Sequence, residues 1–209
     1  GDVSDAGVPD GATVLSRDVL FADPPATSTI LGVAQLRGKT AGGWSIAALD
    51  AVTARETAPF EQSVASFDPA TQDTLTTVSR GRAPVEPLTN YAVARVRRDL
   101  NGGRSVVGAL VTDASRDLAD AVFRPTLRSH AVTGGVDFDH TWGNRVWSLS
   151  GFLAGSRVAG DSLAIARTQN SFVRYYQRPD ARYLGVDSSR TSLAGYSGAL
   201  ALTKVGGEH

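Results

Sequence analysis

Cysteine and methionine are both missing from this 209-residue chain, and each absence removes a set of readings. Without cysteine there are no disulfide staples and no thiolate metal centres. The compartment stays open, because cytosolic proteins and many bacterial envelope proteins alike manage without cysteine. A chain that begins at Gly1 and holds no methionine reads as a processed or truncated piece. An excess of one charge is lacking too: 21 Lys and Arg stand against 21 Asp and Glu. No net field steers the chain onto nucleic acid or anionic lipid, so nucleic acid is not expected as a partner. No apolar run approaches the ~18 residues of a membrane helix, and G-D-V-S-D-A-G has neither the basic nor the apolar region of a signal peptide. Spanning by helices is thereby excluded, whereas spanning by strands is not.

What the chain does have is period-two alternation. Tyr91 to Thr112 forms two alternating runs hinged on Asn101-Gly102-Gly103, the pattern of a long β-hairpin. A similar unit precedes it, from Thr29 through the glycines at 42–43 to Thr53, and another occupies His130 to Gly155 around Gly143-Asn144-Arg145. Residues 1–28, with Asp23-Pro24-Pro25, read as a linker or N-terminal extension with room for one strand at Val19-Leu20-Phe21. Ala54 to Pro87 carries Pro59, Pro69, Pro84 and Pro87 with no sustained period and reads as a loop, as does Asp113 to Ser129 around Pro125. Asp161 to Thr168 suggests a helical turn, and Ser171–Gln177 and Tyr183–Val186 suggest short strands. Thr191 to Val205 alternates again, with no evident partner strand before the end.

The expected fold is all-β: an antiparallel meander of long hairpins over residues 29–207, forming a section of an outer-membrane β-barrel. The strands have the ~9–11 residues a tilted strand needs to cross hydrocarbon, and short turns alternate with long loops. The three tryptophans, Trp44, Trp142 and Trp147, sit beside short turns, as an interfacial girdle would place them, and Tyr91, at the opposite end of its strand, is a candidate for the second girdle together with Tyr175, Tyr176 and Tyr183 in the last long connection. Arg98, on an apolar face near a turn, is placed to snorkel. The alternative is a soluble extracellular sandwich whose apolar faces are an ordinary core and whose Tyr175 and Tyr176 bind glycans.

Few residues point to chemistry. Arg95, Arg97 and Asp99 alternate onto one face, as do Asp137 and Asp139 in the next hairpin; in a barrel both sets face the lumen, pairing across strands or lining a polar path. Asp137-Phe138-Asp139-His140 resembles a metal cluster, but the pleat turns His140 away from both aspartates. Gly195-Tyr196-Ser197-Gly198-Ala199 departs from the nucleophile elbow at its last position and lies in an expected strand. No catalytic residue, metal or cofactor is therefore expected. The long loops leave a barrel-borne hydrolase as a third reading, and their acidic groups, among them Glu56, Glu61, Asp68 and Asp73, serve equally for weak calcium binding or simple solvation.

Several blocks carry a family resemblance. I-L-G-V-A-Q-L-R-G-K-T-A-G-G-W-S-I from Ile30, V-E-P-L-T-N-Y-A-V-A-R-V from Val85 and N-G-G-R-S-V-V-G from Asn101 belong to it. So do G-G-V-D-F-D-H from Gly134, R-Y-Y-Q-R-P-D from Arg174 and T-S-L-A-G-Y-S-G from Thr191. Together they resemble the domain-of-unknown-function 5916 family of bacterial envelope proteins, in which a β-barrel follows a module similar to family 9 carbohydrate-binding modules. The resemblance implies a bacterial outer-membrane location, outer-membrane lipid as partner, glycan contact only through the absent upstream module, and no catalytic residues to carry over. An incomplete strand set implies a section of a larger barrel, non-enzymatic, with a transport, anchoring or surface-binding role.

Overall fold

The computed structural model describes residues 11–22, 24–173 and 176–205. In chain order the strands are β1 (Thr13–Phe21), β2 (Ile30–Lys39), β3 (Trp44–Thr53), β4 (Glu56–Asp68), β5 (Asp73–Glu86), β6 (Thr89–Leu100), β7 (Ser105–Arg116), β8 (Arg128–Trp142) and β9 (Trp147–Gly160). Helix α1 (Ser162–Gln169) and strand β10 (Ser192–Lys204) complete the chain. All strand pairs are antiparallel, so the all-β hairpin meander expected from the alternation is present. The chain divides into two compact units, one within Gly1–Thr29 and Ala54–Pro87, the other Ile30–Thr53 with Leu88–His209.

The first unit is a three-stranded sheet in the order β1-β4-β5, and it corrects the reading of Ala54 to Pro87 as a loop. The segment is a long hairpin. Alternation in β4 exists in burial and not in polarity: Ala58, Gln62, Val64 and Ser66 are all buried, and two of these four are polar. Its prolines sit where a strand tolerates them. Pro84 lies on the edge strand β5, and Pro59 lies one residue past the point where pairing with β1 ends, at Phe21 and Phe60. Glu61, Asp68 and Asp73 therefore stand on strands, Glu61 accepting from Arg80 Nε at 2.7 Å.

The second unit is a seven-stranded sheet in the order β10-β9-β8-β7-β6-β3-β2, with β10 and β2 at its edges. Hairpin turns at 40–43, 101–104 and 143–146 gather at one end of the strands, and the connections 117–127 and 161–191 at the other. Asn101, Gly102 and Gly103, and likewise Gly143, Asn144 and Arg145, all have positive φ, the backbone these tight turns demand. Gly43, at φ 80°, meets Asp99: a Cβ there would lie 2.7 Å from the Asp99 carbonyl, whose own N–H donates back to the Gly43 carbonyl at 2.9 Å. Strand β10, for which the sequence shows no evident partner, pairs along its length with β9 across the 161–191 connection.

That connection begins with α1, and of the two residues that could start it, Asp161 and Ser162, Asp161 is the cap: its carboxylate accepts from the Leu163 N–H at 2.9 Å. The short strands expected after it are not found among its described residues, and Arg174 and Tyr175 lie outside them. Gln169, fully buried, instead ties the segment down, donating to the Asp187 carbonyl and accepting from the Asp187 N–H, each at 2.9 Å. The buried apolar residues of this unit, Phe123, Ala164, Ile165, Ala181 and Leu193, belong to the connections or to the first residues of β10. None of the seven strands buries a side chain away from its ends.

Candidate functional site

Residues directly paired in an antiparallel ladder project to one face, so the register sorts the seven-stranded sheet into two. Arg95 pairs with Leu110 and Ala47, and Arg97 with Gly108 and Ser45. Gly108 in turn pairs with Asp137, while Asp99 pairs with Val106 and Val106 with Asp139. All five charged candidates, Arg95, Arg97, Asp99, Asp137 and Asp139, therefore share a single face, here called the polar face. It also carries Arg37, Lys39, Thr133, Ser148, Ser150, Ser156 and Ser197, with the apolar Leu49, Val93, Val106, Leu110 and Phe152 among them.

Arg95 and Asp137 form a two-pronged ion pair, Nη1 to Oδ1 and Nη2 to Oδ2. The pair spans three strands, from β6 to β8, passing over β7 at Gly108. A Cβ on that glycine would lie 2.6 Å from Arg95 Nη2 and 3.0 Å from Asp137 Oδ1. The bare backbone is what lets the two side chains meet. Asp99 sits between two cations, Lys39 Nζ at 3.3 Å and Arg97 Nε at 3.7 Å.

The opposite face is organised in three zones. At the turn end runs a row of aromatic and cationic groups. The Arg98 guanidinium lies 4.9 Å from the centre of the Trp44 ring, and Lys204 Nζ 5.7 Å from that of Trp147. Trp147 stacks on Trp142 at 6.3 Å, Trp142 stacks on His140 at 5.5 Å, and Ser105 Oγ is 2.8 Å from His140 Nδ1. At the other end runs a polar row, where Asn90 Nδ2 donates to both Asp50 oxygens at 3.1 Å and Asp113 pairs with His130 and accepts from Ser115 Oγ at 2.8 Å. Between the rows every position is apolar or glycine: Ala92, Ala94 and Val96 on β6, Val107, Ala109 and Val111 on β7, Val132 to Phe138 on alternate residues of β8, and Leu149 to Gly155 on alternate residues of β9. From Trp147 to Arg157 the strand advances about 33 Å at ~3.3 Å per residue.

The three tryptophans thus share the apolar face and one end of it. Tyr91 does not join them or their opposite number, because it pairs with Ala51 and Ala114 on the face of Arg95; position along the strand suggested a girdle, and the pleat turns the ring the other way. The residue that does stand on the apolar face at the long-connection end is Tyr196, 90% exposed, and the alternation of β10 carried the signal. Also missed were Lys204, whose stacking needs the β9–β10 register, and Gly108, whose role needs both neighbours. Of the glycan-binding pair, Tyr175 lies outside the described residues, and the Tyr176 N–H donates to the Gln169 carbonyl at 2.9 Å. Ser197 projects from the face opposite to His130 and His140. No cluster of three metal-ligating side chains occurs among the described residues. Comparison with models of protein families, with curated proteins and with solved structures finds no match in any of the three.

Proposed function

We propose that the seven-stranded sheet is part of the wall of a bacterial outer-membrane β-barrel, non-enzymatic, with a transport, anchoring or surface-binding role. The observation that supports this most is the uncovered apolar face. A water-exposed sheet of strands this long normally lays one face against a second layer, yet here Leu153 is 59% and Leu200 71% exposed. The zoning of that face, an aromatic and cationic row, an unbroken apolar band and a polar row, is the sequence of environments met from headgroup to hydrocarbon to headgroup. The polar face then borders the lumen. In this reading Arg98 and Lys204 sit at headgroup depth, where a lipid-facing cation costs about 0–1 kcal/mol. Membership of the domain-of-unknown-function 5916 family, with glycan contact delegated to a separate upstream module, belongs to the same proposal.

The test is secretion of the chain, joined to its native flanking sequence, into the periplasm of a Gram-negative host. Recovery in the outer-membrane fraction, with electrophoretic mobility that changes on boiling, is expected. A chain that stays monomeric in detergent-free buffer, with a strand-rich circular dichroism spectrum and a cooperative melt, overturns the proposal.

A further inference from the structure

Two adjacent rows on the polar face share one pattern across three strands, a cation on either side of a short residue. Arg37 on β2, Ala47 on β3 and Arg95 on β6 form one row, and Lys39, Ser45 and Arg97 form the next. With strands about 4.8 Å apart, the cations of each row stand about 10 Å from one another, across a residue too short to fill the gap. The result is a hollow of about 710 Å³ floored by Ala47 and Ser45 and walled by the four cations.

The charges around it are unequally matched. Arg95 is engaged by Asp137, and Lys39 and Arg97 share the single carboxylate of Asp99. Arg37 makes no ion pair among the described residues, and Asp139, on β8 beside Asp137, makes none with any of the four cations. Two carboxylates are therefore the ion-pair partners of the four cations among the described residues. Lys39 and Arg97 are 66% and 52% exposed, free to turn toward a ligand.

We propose that this hollow is a binding site for tetrahedral oxyanions, the phosphate or sulfate groups of a small polyanionic solute. The donors approach from both walls: the Arg37 fork and the Lys39 ammonium from β2, the Arg97 fork from β6, and the Ser45 hydroxyl from the floor. A planar carboxylate is satisfied by one guanidinium fork, whereas a phosphate or sulfate offers oxygens in several directions and uses donors from both walls at once. Asp99 acts as the resident competitor, holding Lys39 and Arg97 until an anion displaces it. For its route of access the site rests on the proposed barrel, where it lies on the lumen wall and selects anionic solutes; the binding itself needs only the folded sheet.

The experiment is calorimetric titration of the detergent-solubilised, folded protein with sodium pyrophosphate, sodium sulfate and sodium acetate at low ionic strength. Saturable pyrophosphate binding that weakens with added salt is expected, with acetate at least tenfold weaker. Arg37→Gln and Arg97→Gln each weaken pyrophosphate binding about tenfold, the loss of one charge-assisted contact. Arg37→Lys, which keeps the charge without the fork, weakens it less, and Asp99→Asn tightens it by freeing Lys39 and Arg97. Arg190→Gln, in the 161–191 connection, leaves it unchanged. Circular dichroism of each variant confirms that the sheet is intact. Absence of saturable binding, equal affinity for acetate, indifference to both glutamine variants, or weaker binding in Asp99→Asn overturns the site. Pyrophosphate binding by a chain that never enters membranes removes the barrel and keeps the site; membrane insertion without binding does the reverse.

Discussion

The bare backbone at Gly108 makes a prediction whose sign depends on the background in which it is measured. Glycine inside a strand costs roughly 0.5–1 kcal/mol relative to alanine in chain entropy, so Gly108→Ala should stabilise an otherwise indifferent site by that amount. Here the new Cβ falls 2.6 Å from Arg95 Nη2 and 3.0 Å from Asp137 Oδ1. Carbon contacts of ~3.5–4.0 Å force the Arg95 guanidinium to lift by about 1 Å and the Asp137 carboxylate by about 0.5 Å, which breaks the two-pronged geometry. The two side chains are 35% and 36% exposed; a pair this open with well-aligned prongs contributes about 1 kcal/mol, the upper end for solvent-accessible ion pairs. Gain and loss nearly cancel, so Gly108→Ala alone should change the unfolding free energy by less than about 0.5 kcal/mol. In the Arg95→Ala/Asp137→Ala background the same substitution should stabilise by roughly 0.5–1 kcal/mol. The assay is urea unfolding in detergent micelles followed by tryptophan emission, comparing Gly108→Ala in both backgrounds. Equal effects in the two, within about 0.2 kcal/mol, would refute the claim that the ion pair depends on the missing side chain.

Three further outcomes are expected. Arginine at Leu200, in the apolar band, should lower folding stability in lipid vesicles by about 2–4 kcal/mol, while arginine at the neighbouring Ala201, on the polar face, should cost less than about 0.5 kcal/mol; equal costs in vesicles would mean that neither face meets hydrocarbon. Gln169→Leu removes both hydrogen bonds to Asp187 and should destabilise the 161–191 connection by about 1–3 kcal/mol, read as faster amide exchange at Asp187 and Ser189. The Asp187 carboxyl is held below its usual range by the hydroxyl and N–H of Ser189 and then by Arg190. Because the folded value is the lower one, its ordering effect is complete above ~4 and fades as the pH falls through the folded value. The Ser189 amide resonance should shift over that acidic window and stay flat in Asp187→Asn.

The hairpins of the larger sheet were legible because one face of each strand is apolar, and apolar alternation is what a period-two reading detects. Hairpin β4–β5 escaped because Gln62 and Ser66 occupy its buried face, and because Pro59 and Pro84 read as breakers until the pairing shows that neither interrupts a ladder. Parity alone put Arg95, Arg97 and Asp99 together, and likewise Asp137 and Asp139. It did not choose Asp137 as the partner of Arg95, since that choice depends on register across β7 and on the missing side chain at Gly108. Parity also carries the placement of Tyr91, two pleats from Arg95 on the same face, whereas its distance from the turn points to a girdle. Pairing of β10 with β9 spans a connection that contains a helix, and nothing local announces such a contact.

The two edges of the seven-stranded sheet carry a constraint of direction. Each neighbouring pair is antiparallel, so the first and seventh strands in the row, β2 and β10, point the same way. Joined directly, they would form a parallel seam. A second copy turned about the axis of the wall meets the same obstacle, because its β2 also points along β10. A continuous antiparallel wall built on this sheet therefore takes an odd number of additional strands at each seam, and its total comes out even.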